Sequence, residues 1–402
     1  MDFLNSNRSR GLADQLNEFI ADVVNPAEGA VDAERDLAPG TQPPTVEGLK
    51  AEAKKRGLWN LSVRDADYGP GLSMVEYAPL AEILGTSRLA QEATNCDAPS
   101  NINGDALIIY ASDDQKARWL EPQLEGSIRS AFAMTEPDVA SSDAGNIAMT
   151  AVRDGTDWIL NGRKWWISGV LHPNCGYLMV VANTDASASA HRRHTQFIVP
   201  RDAPGLTVVR NLPKFGYLDA DGHTELSFDN VRLPDDAVLG EIGGGFAIGQ
   251  ARLGPARVQH CMRTIGVTEY ALALMCERAE QRETFGQVVA SRANVMDWIA
   301  EARIEIDAAR LMTLHTAWLM DEQGDKAAAP AMSVIKVQVM RTATTVVDRA
   351  IQVFGAAGVS DDTPLARMYA SLRSLRIADG PDEVHLMATA RRELRRQKVG
   401  RG

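Results

Sequence analysis

The period of the hydrophobic pattern changes twice along this chain, and each change limits what it can fold into. Up to about residue 130 the apolar residues follow helical spacing. Leu12, Leu16, Phe19 and Ile20 share one face, and 49–58 and 80–84 also read as helix, with a break at Asp67-Tyr68-Gly69-Pro70-Gly71. From residue 131 short apolar runs alternate with turns: Trp158-Ile159-Leu160 before Asn161-Gly162, then 177–182, 196–199, 206–209 and 224–228. That alternation predicts a compact β domain. After Gly243-Gly244-Gly245 long helical stripes return, Val295, Trp298, Ile299, Ala302, Ile306 and Ala309 in one and Ile335, Val339, Val346 and Ala350 in another. The pattern predicts an α+β chain: helical over 1–130, β over 131–240 and a helical bundle over 241–402.

Composition excludes several classes. With 402 residues, 45% of them hydrophobic, the chain can bury two or three cores, since a domain holds roughly 100–200 residues. A net charge of -11 argues against a nucleic-acid surface. The basic cluster Arg391, Arg392, Arg395, Arg396 and Lys398 is interrupted by Glu393 and reads as a solvated helix end. Cys96, Cys175, Cys261 and Cys276 are widely spaced and read as free thiols in a reducing compartment. The N-terminal stretch mixes Arg8, Arg10, Asp14 and Glu18 with no apolar core of a secretory signal, and no apolar run approaches the ~20 residues that span a bilayer. A soluble, cytoplasmic protein is expected.

Motif searches narrow the chemistry. Gly243 and Gly245 are followed by Ile248 where a third dinucleotide-binding glycine would fall, and neither a P-loop nor HExxH occurs. His191-Arg192-Arg193-His194 could suggest a metal or phosphate site but reads better as a solvated loop between strands; no metal site is expected. Asp379 is different. It stands in Ile377-Ala378-Asp379-Gly380-Pro381, where Gly380 supplies a turn and Pro381 suits the start of a helix. A carboxylate at such a break can point into a cavity, which makes Asp379 a candidate general base.

Four further segments carry chemistry together: Ala131-Phe132-Ala133-Met134-Thr135-Glu136-Pro137; Asn161-Gly162-Arg163-Lys164-Trp165-Trp166-Ile167-Ser168; Arg282-Glu283-Thr284-Phe285-Gly286; and Gln352-Val353-Phe354-Gly355-Ala356-Ala357-Gly358, followed by Arg367 and Asp379-Gly380. In this order and spacing the chain resembles the acyl-CoA dehydrogenase family over nearly its whole length. The resemblance implies a helical N-terminal domain, a central β-barrel-like domain and a C-terminal four-helix bundle, with FAD as cofactor. By position it implies that Thr135 hydrogen-bonds the flavin pyrimidine with Met134 beside it, that Phe132 lines the pocket, that Trp166 packs on the isoalloxazine, and that Ser168 lies near N5. Taken singly, a turn threonine and a core tryptophan are the alternatives. Arg282, Phe285, Gln352 and Gly355 match positions that hold the FAD pyrophosphate and adenosine of a neighbouring subunit, so a homodimer or homotetramer is implied; Arg282 alone could be a surface ion pair.

In the family the base lies either at the position of Asp379 or just before an arginine in the helix after the β domain. Here the second position is Ala256, before Arg257, and cannot take a proton. Asp379 is then the implied base for α,β-dehydrogenation of an acyl-CoA thioester, removing the α-proton as the β-hydrogen leaves as hydride to flavin N5. Arg257, Ser141 and Gly380 are implied on the substrate side. Aspartate is shorter than the usual glutamate by one C–C bond, roughly 1.5 Å. Pro381 replaces a threonine, and Asp138 to Asp143 holds one extra residue, which blurs the position of Ser141. These departures resemble the subgroup whose vertebrate members carry a kinase-like domain in front of the dehydrogenase, and imply medium to long acyl-CoAs, including 4-hydroxyacyl derivatives. An electron-transfer flavoprotein is the implied acceptor. The rivals are a flavin oxidase of the nitroalkane oxidase kind, which also uses aspartate, and a flavin-free scaffold.

Overall fold

The structure, a computed structural model, describes residues 6–399. Helices α1 (Asn7–Phe19), α2 (Asn25–Leu37), α3 (Pro44–Lys55) and α4 (Met74–Leu84) come first, then α5 (Ala90–Ala93), α6 (Ser100–Tyr110), α7 (Asp113–Gln115) and α8 (Glu121–Glu125). Strands follow: β1 (Arg129–Ala133), β2 (Thr150–Asp154), β3 (Asp157–Ser168), β4 (Cys175–Asn183), β5 (His194–Pro200), β6 (Leu206–Asn211), β7 (His223–Pro234) and β8 (Val238–Leu239). The chain closes with α9 (Gly245–Gln281), the small hairpin β9 (Glu283–Thr284) and β10 (Gln287–Val288), α10 (Ala293–Gln323), α11 (Asp325–Phe354), α12 (Leu365–Leu375) and α13 (Asp382–Val399).

These elements fall into two bodies. One comprises Asp22–Leu72 and Gln91–Leu253 and is built on an eight-stranded sheet, in the order β6-β7-β3-β2-β4-β5-β8 with β1 alongside β4. Neighbours are antiparallel except β1 on β4 and the single pairing of β2 with β4. Strand β4 is buried on both faces: Leu178, Val180 and Ala182 join Trp158, Leu160, Phe197 and Phe228 in one core, while Tyr177 and Met179 pack with Leu107, Leu120 and Ile198 in a second. A continuous apolar run is what a doubly covered strand requires.

The other body comprises Met1–Ala21, Ser73–Ala90 and Gly254–Gly402. Its core is formed by α10 and α11, through Val295, Ala302, Ile306 and Ala309 on one and Ile335, Val339, Val346 and Ala350 on the other. Helix α4 starts with a capping box, Ser73 accepting from the Glu76 N–H and the Glu76 carboxylate accepting from Ser73 N–H. Asp321 of α10 adds a second cap, taking the N–H groups of Met74 and Val75 at 2.9 and 2.8 Å. Arg310 bonds Glu82 of α4 from Nε and Nη2.

Three local expectations need correction. Residues 56–58 lie outside α3, because Leu58 turns into the core after the helix ends. Ile377 and Ala378 belong to a turn, not to α12: Leu375 O accepts from Lys336 Nζ at 2.5 Å, and the N–H groups of Ile377 and Ala378 both return to Ser374 O. His194 is not solvated. It opens β5 and is buried, while His191 packs 4.4 Å from the Phe246 ring and Arg192 pairs with Glu241. Among the described residues, no helix is long and apolar enough to cross a membrane, and no His, Cys, Asp and Glu group could hold a metal ion.

Candidate active site

In the helical body the chain leaves α12, turns, and reaches Asp379 with φ 55°, a left-handed angle that costs a residue with a Cβ. Gly380 follows at φ 101°, and a Cβ there would lie 2.7 Å from His385 Nε2. The Asp379 carbonyl faces Arg257 Nε and Nη2, each at 3.4 Å, and His385 Nε2 at 3.3 Å. Its carboxylate Oδ2 is 3.2 Å from His260 Nε2, and the Asp379 side chain is 26% exposed. Cations dominate the surroundings. Burial pushes Arg257 and Lys336 below their ordinary values, with Asp379 opposing both shifts. Burial, then Arg257 and Lys336, holds His385 down at about 4, which keeps it neutral near pH 7. Burial pushes the Cys261 thiol up to about 12, so it is no nucleophile there.

In the sheet body two of the sequence motifs are bonded to each other. Trp165 N–H donates to Thr135 O at 3.0 Å, and Lys164 Nζ donates to Met134 O and to Glu136 Oε1, both at 2.8 Å. The Glu136 carboxylate also accepts from the N–H groups of Ala148 and Met149. Lys164 is fully buried, and burial lowers it to about 8 against the pull of Glu136. This clamp fixes the loop that presents Thr135, which is exposed. The register of β3 on β7 slips between Lys164 and Ile167, and at that bulge Trp166 takes φ 55° and stays 40% exposed.

Ser168 lies two residues on. Its Oγ is 2.8 Å from His223 Nδ1, and His223 Nε2 is 2.8 Å from Asp219 Oδ2, which also pairs with Lys214. Against burial, which would raise it, His223 and Lys214 hold Asp219 at about 2. An ionised Asp219 accepts a hydrogen bond from Nε2, which orients the ring so that Nδ1 faces the Ser168 hydroxyl. Phe132 is half-buried with the Arg252 guanidinium 3.9 Å from its ring centre, and Arg252 Nε donates to Asn103. Ser141 Oγ accepts from Glu136 N–H at 2.9 Å.

Four more of the residues singled out by the sequence are exposed in the helical body. Phe285 is fully exposed in the hairpin between β9 and β10, with φ 48°. Arg282 is exposed and makes no ion pair among the described residues. Gln352 and Gly355, at the end of α11, are exposed, and Gly355 has φ 66° with open space where a Cβ would stand. An exposed phenylalanine at a strained angle marks a binding surface better than a packing one.

Family models match in chain order: the N-terminal domain of acyl-CoA dehydrogenases over residues 6–127, the middle domain over 131–231 and the C-terminal domain over 243–394. The Mycobacterium tuberculosis protein named probable acyl-CoA dehydrogenase FadE2 is 50% identical, over 99% of this chain and 98% of its own length. The chain belongs to the acyl-CoA dehydrogenase family. With membership come the enzyme class, an FAD-dependent dehydrogenase, and the fold. A Mycobacterium abscessus protein, solved as a candidate acyl-CoA dehydrogenase, superposes with a TM-score of 0.95 at 47% identity, covering 98% of this chain and 99% of that one. Acyl-CoA dehydrogenase family member 11 of Gallus gallus is 46% identical over 98% of this chain, which spans only 51% of that protein's length. The relationship to that member fits the subgroup indicated by the sequence.

The residues present suit FAD. The exposed Trp166 offers an uncovered aromatic face of the kind that stacks on a flat ring; Ser168 lies two residues on, and Thr135 is tied to the neighbouring Trp165 through its carbonyl. Arg282 is a cation without an ion-pair partner among the described residues, and Gly355 leaves room for close approach, both of which suit a pyrophosphate. Several residues that support these groups escaped sequence reasoning: His260, His385 and Lys336 around Asp379, the Lys164–Glu136 pair, and His223 with Asp219. Only Lys164 left a usable sign. It shares parity with the buried Leu160 along β3, so alternation alone places its charge on the inner face.

Proposed function

We infer that this dehydrogenase oxidises an acyl-CoA thioester to the trans-2-enoyl-CoA, with Asp379 as general base. The observation that carries the reading is the left-handed corner at Asp379 and Gly380, which holds a partly exposed carboxylate among Arg257, His260, Lys336 and His385. Strain of this kind persists where the surroundings over-determine it, and it clusters at sites of chemistry. The cationic neighbours favour an ionised carboxylate, ready to accept a proton. Asp379 breaks the α-C–H bond and keeps the proton, while the β-hydrogen departs with its electron pair. FAD, when bound, supplies the acceptor for that pair.

The other residues bind and orient. Trp166 would pack on the ring system and keep water from it, Thr135 and Met134 would hold the pyrimidine, and Ser168 would offer its hydroxyl near the reactive nitrogen. Phe132 and Ser141 in the sheet body, and Arg257 and Gly380 in the helical body, would each be available to substrate. Arg282, Phe285, Gln352 and Gly355 hold the pyrophosphate and adenosine of a second copy's cofactor, so the working protein is a homodimer or homotetramer. The substrates are medium to long acyl-CoAs, 4-hydroxyacyl derivatives among them, within fatty acid β-oxidation. An electron-transfer flavoprotein takes the electrons, in the cytoplasm.

Asp379→Asn tests the base. The variant is expected to bind FAD as the wild type does and to lose flavin reduction by acyl-CoA by about 10²–10⁴-fold, the usual worth of a general base. Reduction near the wild-type rate would remove Asp379 from the role. The same anaerobic mixing sorts the rivals: reduced flavin that persists on admitting air supports the dehydrogenase, and rapid reoxidation with peroxide release indicates an oxidase. A colourless protein that cannot be reconstituted with FAD indicates a scaffold.

A further inference from the structure

His260 lies about one turn beyond Arg257 on α9, and Arg263 about one turn beyond His260, so His260 neighbours both along the helix. His260 is nearly buried, with Nε2 3.2 Å from Asp379 Oδ2 and Nδ1 2.7 Å from Arg263 Nη2. A guanidinium only donates. Nδ1 must therefore accept, which leaves the ring neutral and puts its one proton on Nε2, facing the carboxylate.

We propose that His260 is the positioning residue of the catalytic base, donating from Nε2 to Asp379 Oδ2 in a tautomer that Arg263 locks. The proposal rests on Asp379 being the base. Asp379 then takes the α-proton: the C–H bond breaks, an O–H bond forms on the carboxylate, and the freed electron pair enters the new double bond. The ring is a donor and not a relay. Nε2 already carries hydrogen and Nδ1 is occupied by Arg263, so the abstracted proton stays on Asp379 until product leaves. The device suits a short base. Asp379 has one fewer rotatable bond than a glutamate, its φ sets the root of the side chain, and the His260 N–H sets the plane of the carboxylate.

The other titratable or charged groups around Asp379 are Arg257 and Cys261 from α9, Lys336 from α11, and His385 from α13. Asp382, paired with Arg341 and Arg376, lies at the start of α13. All of them remain when His260 is replaced, so a difference between variants reads His260.

The experiment is anaerobic flavin reduction by a saturating acyl-CoA across a pH series, on FAD-loaded protein. H260L keeps the volume and removes the donor. It is expected to slow the limiting rate about tenfold, leave the apparent substrate affinity unchanged, and move the acid limb up by about one pH unit, because a lost donor disfavours the ionised base. H260Q returns an N–H at the same reach and should restore the limb. R263M keeps the donor but frees Nδ1 to protonate, adding a second ionisation to the profile. An H260L limb superimposable on the wild type overturns the proposal, as does H260Q behaving like H260L. Should H260L fail to fold, R263M decides, and a profile without the second ionisation overturns it. D379N run alongside separates the two readings: inactive D379N with unchanged H260L removes only the role of His260, whereas active D379N removes the base and this proposal with it.

Discussion

Asp379 and Trp166 both sit at φ 55°, yet what holds each of them there differs in kind. Asp379 is gripped by side chains from distant parts of its body, Arg257, His260 and His385, through its carbonyl and carboxylate. Trp166 is held by main chain: the slip of β3 on β7 turns it outward, and the Lys164–Glu136 pair locks the strand behind it to the Thr135 loop. One arrangement is ionic and made by side chains; the other is made by strand register and a buried ion pair. Damage behind Trp166 should therefore reach the fold and the cofactor, and damage behind Asp379 should reach only the chemistry.

K164M breaks that contrast hardest. It leaves the Glu136 carboxylate buried without its cation, a change that costs about 3–5 kcal/mol. Thermal unfolding is expected several degrees lower, with FAD content falling in step. K164M/E136Q should recover part of the loss, because removing both charges of a buried pair is far cheaper than removing one. Equal instability of single and double variants would show that the pair's charge is not what matters. G380A is the counterpart in the helical body. A Cβ at φ 101° is strained and lies 2.7 Å from His385 Nε2, so Asp379 and His385 must both shift. FAD should stay bound while flavin reduction by acyl-CoA slows roughly 10–100-fold, the usual effect of misplacing a reacting group by about 1 Å. Loss of FAD by G380A would erase the difference between the two regions.

The same difference decides what could be read from sequence. Thr135, Trp166 and Ser168 lie in contiguous segments whose residue types announce a purpose, and Asp379 is flagged by the glycine and proline after it. The partners of Asp379 are not contiguous. His260 is a helical histidine more than a hundred residues away, and nothing in its neighbourhood sets it apart from a solvated one. The fold shows the same limit. Periodicity marks where helices and strands lie but not which body a helix joins: α4 sits with the C-terminal helices, capped by Asp321 some 247 residues on, while α2, α3 and α6 sit with the sheet. The loop reading of His194 failed for a related reason, since its surroundings (Ile147 O accepts from or faces Nε2 at 3.3 Å) come from elsewhere in the chain.

The smallest effect separates the two bodies by pH. His385 titrates at about 4 in the folded protein and near 6.5 when unfolded. Between those values the unfolded chain binds a proton that the folded one refuses, so stability falls as pH drops from about 6.5 to 4 and changes no further on this account below that. Asp219, held at about 2 in the sheet body, acts in the next window. Its carboxylate stabilises the fold above the ordinary value near 3.9, and that stabilisation is lost as pH falls toward 2. H385N should flatten the upper part of a plot of Tm against pH and leave the lower part alone. It should not abolish the upper slope, because burial also lowers His194 in the sheet body and that residue remains. D219N should do the reverse, softening the fall below pH 4 while matching the wild type above it. A divergence of H385N from wild type that opened only above pH 6.5 would mean that His385 carries a proton in the folded state at neutral pH. Asp379 would then be flanked by one more cation than the geometry of this site assigns to it.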